Sequence, residues 1–173
     1  DLAIIGIYYF KDGEYLKKEL QFLIDNNILD KGEFQLTNAL DNMKNKGSKF
    51  LPGKVQDWLD CGNKDSTVDT NKRYMEYIKG QDLVSKSAKL TNSSIIPPVY
   101  IGDNAEISNS VVGPYVSVGA GSKIIDSIVK NSIIQEKAVV KNANINNSML
   151  GNNASYEGTP ADLSVGDFNV IKN

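Results

Sequence analysis

The sequence predicts a mixed α/β portion followed by a parallel β-helix, and three patterns carry that prediction. The opening run "LAIIGIYYF" is continuously apolar, β-branched and aromatic, as a strand covered on both faces would be. Amphipathic stripes at helical spacing follow it. From about residue 95 the pattern changes to short units repeating every six residues, with occasional steps of five.

The first part reads as strand, helix, helix, strand, helix. "KDG" turns the chain after the opening strand, and "GEYLKKELQFLIDNNI" places Leu16, Leu20, Leu23 and Ile24 on one helical stripe. In "TNALDNMKNKG", Thr37 is the expected N-cap, Leu40 and Met43 share a face with Leu36, and Gly47 suits the position after the helix. "VQDWL" reads as a second strand and "DCGNKD" as the turn after it. Val68, Asn71, Met75 and Ile78 then line one side of a third helix, which Gly80 stops. Two strands cannot cover a run as apolar as "LAIIGIYYF", so this part resembles the back of a larger α/β domain.

The repeat places an aliphatic residue, often followed by Gly, four positions before a small or aliphatic one. It matches at Ile101, Ile107, Val112, Val118, Ile124, Val129, Ile134, Ile145 and Leu150. In a β-helix each such unit supplies one face of a triangular coil, with its aliphatic residue inward. Gly and Asn suit the corners because both tolerate positive φ. The expected division is 1–82 for the α/β portion, 83–94 for a linker, and 95–173 for the β-helix with a C-terminal tail.

Composition narrows the chemistry. The formal charge is −2 and no block of like charges occurs, which argues against nucleic acid or anionic lipid as a partner. The apolar runs fall short of the roughly 20 residues that span a bilayer. A single Cys fits a reducing, cytoplasmic setting. The chain has no histidine, which excludes Ser-His-Asp and Cys-His catalysis and His-ligated zinc. Chemistry is left to carboxylates, Lys, Tyr, a metal ion or backbone dipoles, and no residue is assigned as catalytic.

Over most of residues 95–156 the repeat resembles the left-handed β-helix of the hexapeptide-repeat proteins. Many of those are acyltransferases that use a catalytic His, which this chain lacks. The segments "IIGIYYF", "GEFQLTNALDNMKNKG" and "WLDCGNKDSTVDTN" resemble, in order and spacing, the C-terminal part of a sugar-1-phosphate nucleotidyltransferase catalytic domain of the glucose-1-phosphate thymidylyltransferase type.

That resemblance implies a Rossmann-like domain, present here in part. It also implies a reaction in which a sugar 1-phosphate and a nucleoside triphosphate (NTP) give a nucleotide-sugar and pyrophosphate, with Mg²⁺ as cofactor. Asp60 occupies the place of a Mg²⁺ ligand, the alternative being a cap for the third helix. Gly6 and Tyr8 occupy places that face the sugar, with core packing the alternative for Tyr8. Trp58 stands where an aromatic lies near the sugar phosphate, or else anchors the core. Cys61 is expected to be a small buried filler, and Gly62 to permit the turn into the third helix. The family's Gly-rich nucleotide loop with its Arg, its Glu-Lys-Pro motif and a second Asp ligand do not occur in the sequence. The chain by itself is therefore expected not to turn over. A reading of another class is a non-catalytic oligomerisation or regulatory module, and a homodimer or homotrimer is expected on either reading.

Overall fold

A computed structural model describes residues 5–159 and divides the chain into two compact units, Asp1–Trp58 and Leu59–Asn173.

The first unit is built on two helices, α1 (Gly13–Asp25) and α2 (Leu36–Asn45). Asp12 caps α1 by accepting the Tyr15 N–H at 2.9 Å. Leu23 from α1 and Ala39 and Met43 from α2 are buried. The two helices are clamped by Lys46, whose ammonium donates to both oxygens of the buried Glu19 at 2.6 and 2.8 Å and lies 5.1 Å from the centre of the Phe22 ring. A charge as buried as Glu19 is tolerated because it is paired and doubly bonded. Thr37 is not the N-cap of α2: Gln35 holds that position, without a side-chain bond. Gly47, at φ 97°, closes the other end as expected, its N–H reaching Lys44 O while Ser48 N–H reaches Met43 O.

Neither expected strand of this part forms among the described residues. "VQDWL" is irregular, and so are residues 5–10, with Gly6 at φ 83°. A strand is made by its neighbours' hydrogen bonds, and none of the described residues supplies a partner strand. The partial Rossmann-like sheet is accordingly not seen, and large apolar side chains remain exposed: Ile7 at 78%, Tyr9 at 88% and Leu51 at 90%.

The second unit opens with α3 (Lys64–Ile78) and continues as a parallel β-solenoid. Its strands are β1 (Lys89–Thr91), β2 (Ser94–Ile95), β3 (Val99–Ile101), β4 (Glu106–Ser108), β5 (Val111–Val112), β6 (Val116–Val118) and β7 (Lys123–Ile125). They continue as β8 (Ile128–Lys130), β9 (Ser132–Ile134), β10 (Val139–Lys141), β11 (Asn144–Asn146), β12 (Met149–Leu150) and β13 (Ser155–Glu157). Every third strand stacks in parallel, giving three sheets ordered β1-β4-β7-β10-β13, β2-β5-β8-β11 and β3-β6-β9-β12. Ile101, Ile107, Val112, Val118, Ile124, Val129, Ile134 and Val140 fill the interior and are essentially inaccessible.

Two boundaries differ from expectation. The segment expected as a linker, 83–94, contributes β1 and the start of β2, and so belongs to the first coil. The chain divides after Trp58 rather than near residue 82, because α3 packs on the solenoid.

The corners show how so short a repeat can turn. Asn92, Asn109, Asp126 and Asn142 form one column of residues at φ between 46° and 50°, and Asn104, Gly121, Lys137 and Asn153 form another. Asn and Gly tolerate this left-handed backbone best. The residue after each corner is small and faces inward. Ser127 is typical: its N–H donates to Ser110 Oγ at 3.0 Å, its hydroxyl donates to Ile125 O at 2.7 Å, and its Oγ accepts the Ala143 N–H at 3.1 Å. Serine hydroxyls thus carry hydrogen bonding from coil to coil where the strand ladders lapse. Gly119 follows an inward aliphatic for a steric reason: a Cβ there would lie 2.6 Å from the backbone of Gln135 and Glu136 in the next coil.

Coil length changes once. Lys89 pairs with Glu106 and Glu106 with Lys123, a step of 17, whereas Lys123 pairs with Val139 and Val139 with Ser155, a step of 16. The lost residue comes from one corner. Val112 and Val116, four positions apart, stack on Val129 and Ser132, three positions apart.

Helix α3 covers the sheet that contains β6 and β9, with Val68 and Met75 buried beneath it. Polar groups surround this apolar contact. Ser117 Oγ donates to Asn71 Oδ1 at 2.6 Å, the Tyr115 hydroxyl donates to Glu76 Oε1 at 2.7 Å, and Lys64 Nζ donates to Asn147 O at 3.0 Å.

Two predictions follow from these contacts. Ser127→Ala should destabilise the solenoid by about 1–3 kcal/mol in urea unfolding, because the buried Ala143 N–H loses its acceptor. The Tyr115 hydroxyl, and after it Lys79, holds the Glu76 carboxyl below its usual 4.5, while Glu76 raises the Tyr115 phenol above 10.0. The carboxylate's contribution is therefore complete above pH 4.5 and lost as pH falls through the lowered value; the phenol's is complete below pH 10 and lost as pH rises through the raised one. Melting temperature followed against pH should decline at both ends, and Tyr115→Phe should flatten both declines.

Candidate functional site

The stretch from Trp58 to Asn63 joins the two units and holds the expected metal ligand. Asn63, not Asp60, caps α3: its Oδ1 accepts the Ser66 N–H at 2.9 Å, and its carbonyl accepts the Thr67 hydroxyl at 2.7 Å. The signal was present in the sequence as Asn63 with Asp65 in the first helical turn behind it.

Freed from capping, Asp60 folds back on its own turn. Its Oδ1 accepts the Gly62 N–H at 3.0 Å, and its carbonyl oxygen accepts the Thr70 hydroxyl at 2.6 Å. Gly62 does not need left-handed backbone here. A Cβ at 62 would instead stand 3.2 Å from Asp60 Oδ1, so glycine keeps the carboxylate's approach open. Thr70 was not singled out in the sequence, because a threonine inside a helix gives no sign of where its hydroxyl reaches.

The other candidates lie in the first unit. Gly6 and Tyr8 sit in the irregular opening segment, both solvent-facing, with the Tyr8 ring 6.1 Å from that of Phe10. Trp58 is 54% exposed and Tyr8 37% exposed. Cys61 is exposed, so the expectation of a buried filler is corrected. It stands in the turn rather than in a strand packed on a sheet. Gly6, Tyr8 and Trp58 thus fall in one unit and Asp60 in the other.

Tested against Mg²⁺, the donors fit in one respect. A hard cation that keeps water and phosphate oxygens in its shell needs only one or two protein carboxylates, and Asp60 offers Oδ2 beyond the bond that Oδ1 makes to Gly62. They do not form a self-sufficient metal centre, since no cluster of three acidic, Cys or His side chains is gathered among the described residues. Two open grooves on the solenoid, of about 710 and 580 Å³, are lined by neither Asp60 nor Thr70. Among the described residues no helix is long and apolar enough to cross a membrane.

No family model matches the sequence. The chain is similar to glucose-1-phosphate thymidylyltransferase of Streptomyces antibioticus, 28% identical over 117 residues, a match covering 59% of this chain and 32% of that protein. The matched region therefore spans about a third of the relative's length. The similarity over part of the chain, together with the parallel β-solenoid, is consistent with the C-terminal region of a hexapeptide-repeat sugar nucleotidyltransferase.

Proposed function

We propose that the chain is the C-terminal part of a Mg²⁺-dependent sugar-1-phosphate nucleotidyltransferase of the cytoplasm. It would comprise the end of a Rossmann-like catalytic domain and a left-handed β-helix. The observation that carries this reading is the conjunction of "GEFQLT" and "WLDCG" with a stacked solenoid behind them, in a chain similar to a thymidylyltransferase. The exposed Ile7, Tyr9 and Leu51 agree with it, being the surface that an α/β domain would cover with further elements.

In the proposed reaction a phosphate oxygen of the sugar 1-phosphate attacks the α-phosphorus of the NTP. The bond from that phosphorus to the bridging oxygen breaks, and pyrophosphate leaves. Positioning and charge neutralisation do most of this work, which suits a chain with no histidine. Gly6 and Tyr8 would face the sugar, Trp58 its phosphate, and Asp60 would hold Mg²⁺, which when bound neutralises phosphate charge. The nucleotide side and a second metal ligand would come from sequence outside this chain, which alone would be inactive.

A second reading gives the solenoid an assembly role, forming a homodimer or homotrimer. Ile96 and Ile128, 43% and 46% exposed at the second sheet, favour it.

Two measurements test these readings. The chain extended by its upstream reading frame should release pyrophosphate with at least one pairing of NTP and sugar 1-phosphate, and Asp60→Asn should lower the rate about 100-fold. Release from no pairing, or an unimpaired Asp60→Asn, would refute the enzymatic reading. Sedimentation of the same protein should give a dimer or trimer that Ile128→Lys weakens; a monomer at all concentrations removes the assembly role.

A further inference from the structure

We propose that Thr70 is a positioning residue that fixes the Asp60 carboxylate from a helix anchored on the solenoid. The proposal rests on the reading of Asp60 as a Mg²⁺ ligand. Helical threonines commonly return their hydroxyl to the carbonyl four residues back, as Thr67 does to Asn63. Thr70 does otherwise. Its hydroxyl reaches ten residues back, to Asp60 O at 2.6 Å, and the side chain is half-buried where it does so.

Asp60 is thereby held twice, through its carbonyl by Thr70 and through Oδ1 by the Gly62 N–H. The neighbouring Asn71 is bonded to Ser117 of β6, and Glu76, five residues further on, to Tyr115. An unbroken series of contacts thus runs from β6 through α3 to Asp60. A carboxylate restrained in this way loses less freedom when it takes a cation, which is the use of a supporting residue behind a ligand.

The test uses the whole chain, with amide resonances and Mn²⁺ as the probe. In the wild type, Mn²⁺ should broaden the Cys61 and Gly62 amides selectively, and Asp60→Asn should abolish that broadening. Thr70→Val should raise the solvent-exchange rate of the Gly62 amide about fivefold and the Mn²⁺ concentration for half-broadening by a similar factor. Thr70→Ser, which keeps the hydroxyl, should restore both. Unchanged α3 and β6 amides certify the fold of each variant, and Thr70→Ala replaces Thr70→Val should those amides shift. If Asp60→Asn abolishes the broadening but Thr70→Val leaves exchange and Mn²⁺ response unchanged, the positioning role is overturned and the metal reading stands. Broadening that persists in Asp60→Asn overturns the metal reading instead, and the Gly62 exchange rate then decides the positioning role alone.

Discussion

Most of the second unit follows from one constraint: a chain that turns three times in 16 or 17 residues must keep its backbone bonded to the coil below at every step. Strands of two or three residues cannot do this alone, since each corner leaves N–H and C=O groups outside the ladders. The corner residues take left-handed backbone, the serines after them bridge coil to coil, and Gly119 lets two backbones meet where a methyl would intrude. The change from 17 to 16 residues is tolerated because it occurs wholly within one corner, so inward positions on all three sheets stay stacked.

The same regularity creates the platform on which α3 lies. The sheet containing β6 presents Tyr115 and Ser117 outward beside its buried valines, and α3 answers with Glu76 and Asn71 around the apolar Val68 and Met75. Polar contacts of this kind fix the helix's register more than its affinity, since each is worth only about 1 kcal/mol net. Register is what matters for Asp60. A helix rotated by one residue would turn Thr70 away from the Asp60 carbonyl.

How much was legible in the sequence divides along the same line. The solenoid could be read because every inward position is compelled locally: Ile107, Ile124 and Val140 are aliphatic whatever else the protein does. Helices α1 and α3 were legible from their stripes. The surface to which α3 belongs was not, since Glu76 looks like a solvent-facing residue and nothing shows what the stripe holding Asn71 packs on until Tyr115 and Ser117 are seen opposite them. Of "LAIIGIYYF" the described residues begin at Ile5, and those take no strand: the composition asks for a sheet, but a strand forms only where neighbours exist to bond it. At the site, Asp60 was legible through the resemblance of "WLDCG", but the bonds that orient it were not. They run to the glycine two residues on and to a threonine about two helical turns beyond the cap.

The two units differ in how far their described residues close on themselves, and this bears on the proposed chemistry. The solenoid unit buries its inward aliphatics and pairs some of its surface charges, as Glu106 does with both Lys89 and Lys123. The first unit has a small core around Leu23, Ala39 and Met43 and leaves its largest side chains in solvent. Transfer between phosphates needs reacting groups held in line and their charge offset, and tolerates little looseness in either. Asp60 stands on the unit able to supply that rigidity. Gly6, Tyr8 and Trp58 stand on the unit that, on the nucleotidyltransferase reading, acquires it when further α/β elements cover Ile7, Tyr9 and Leu51. On that reading the proposed metal ligand is pre-set by the solenoid, while the proposed sugar-facing residues depend on the further elements of their domain.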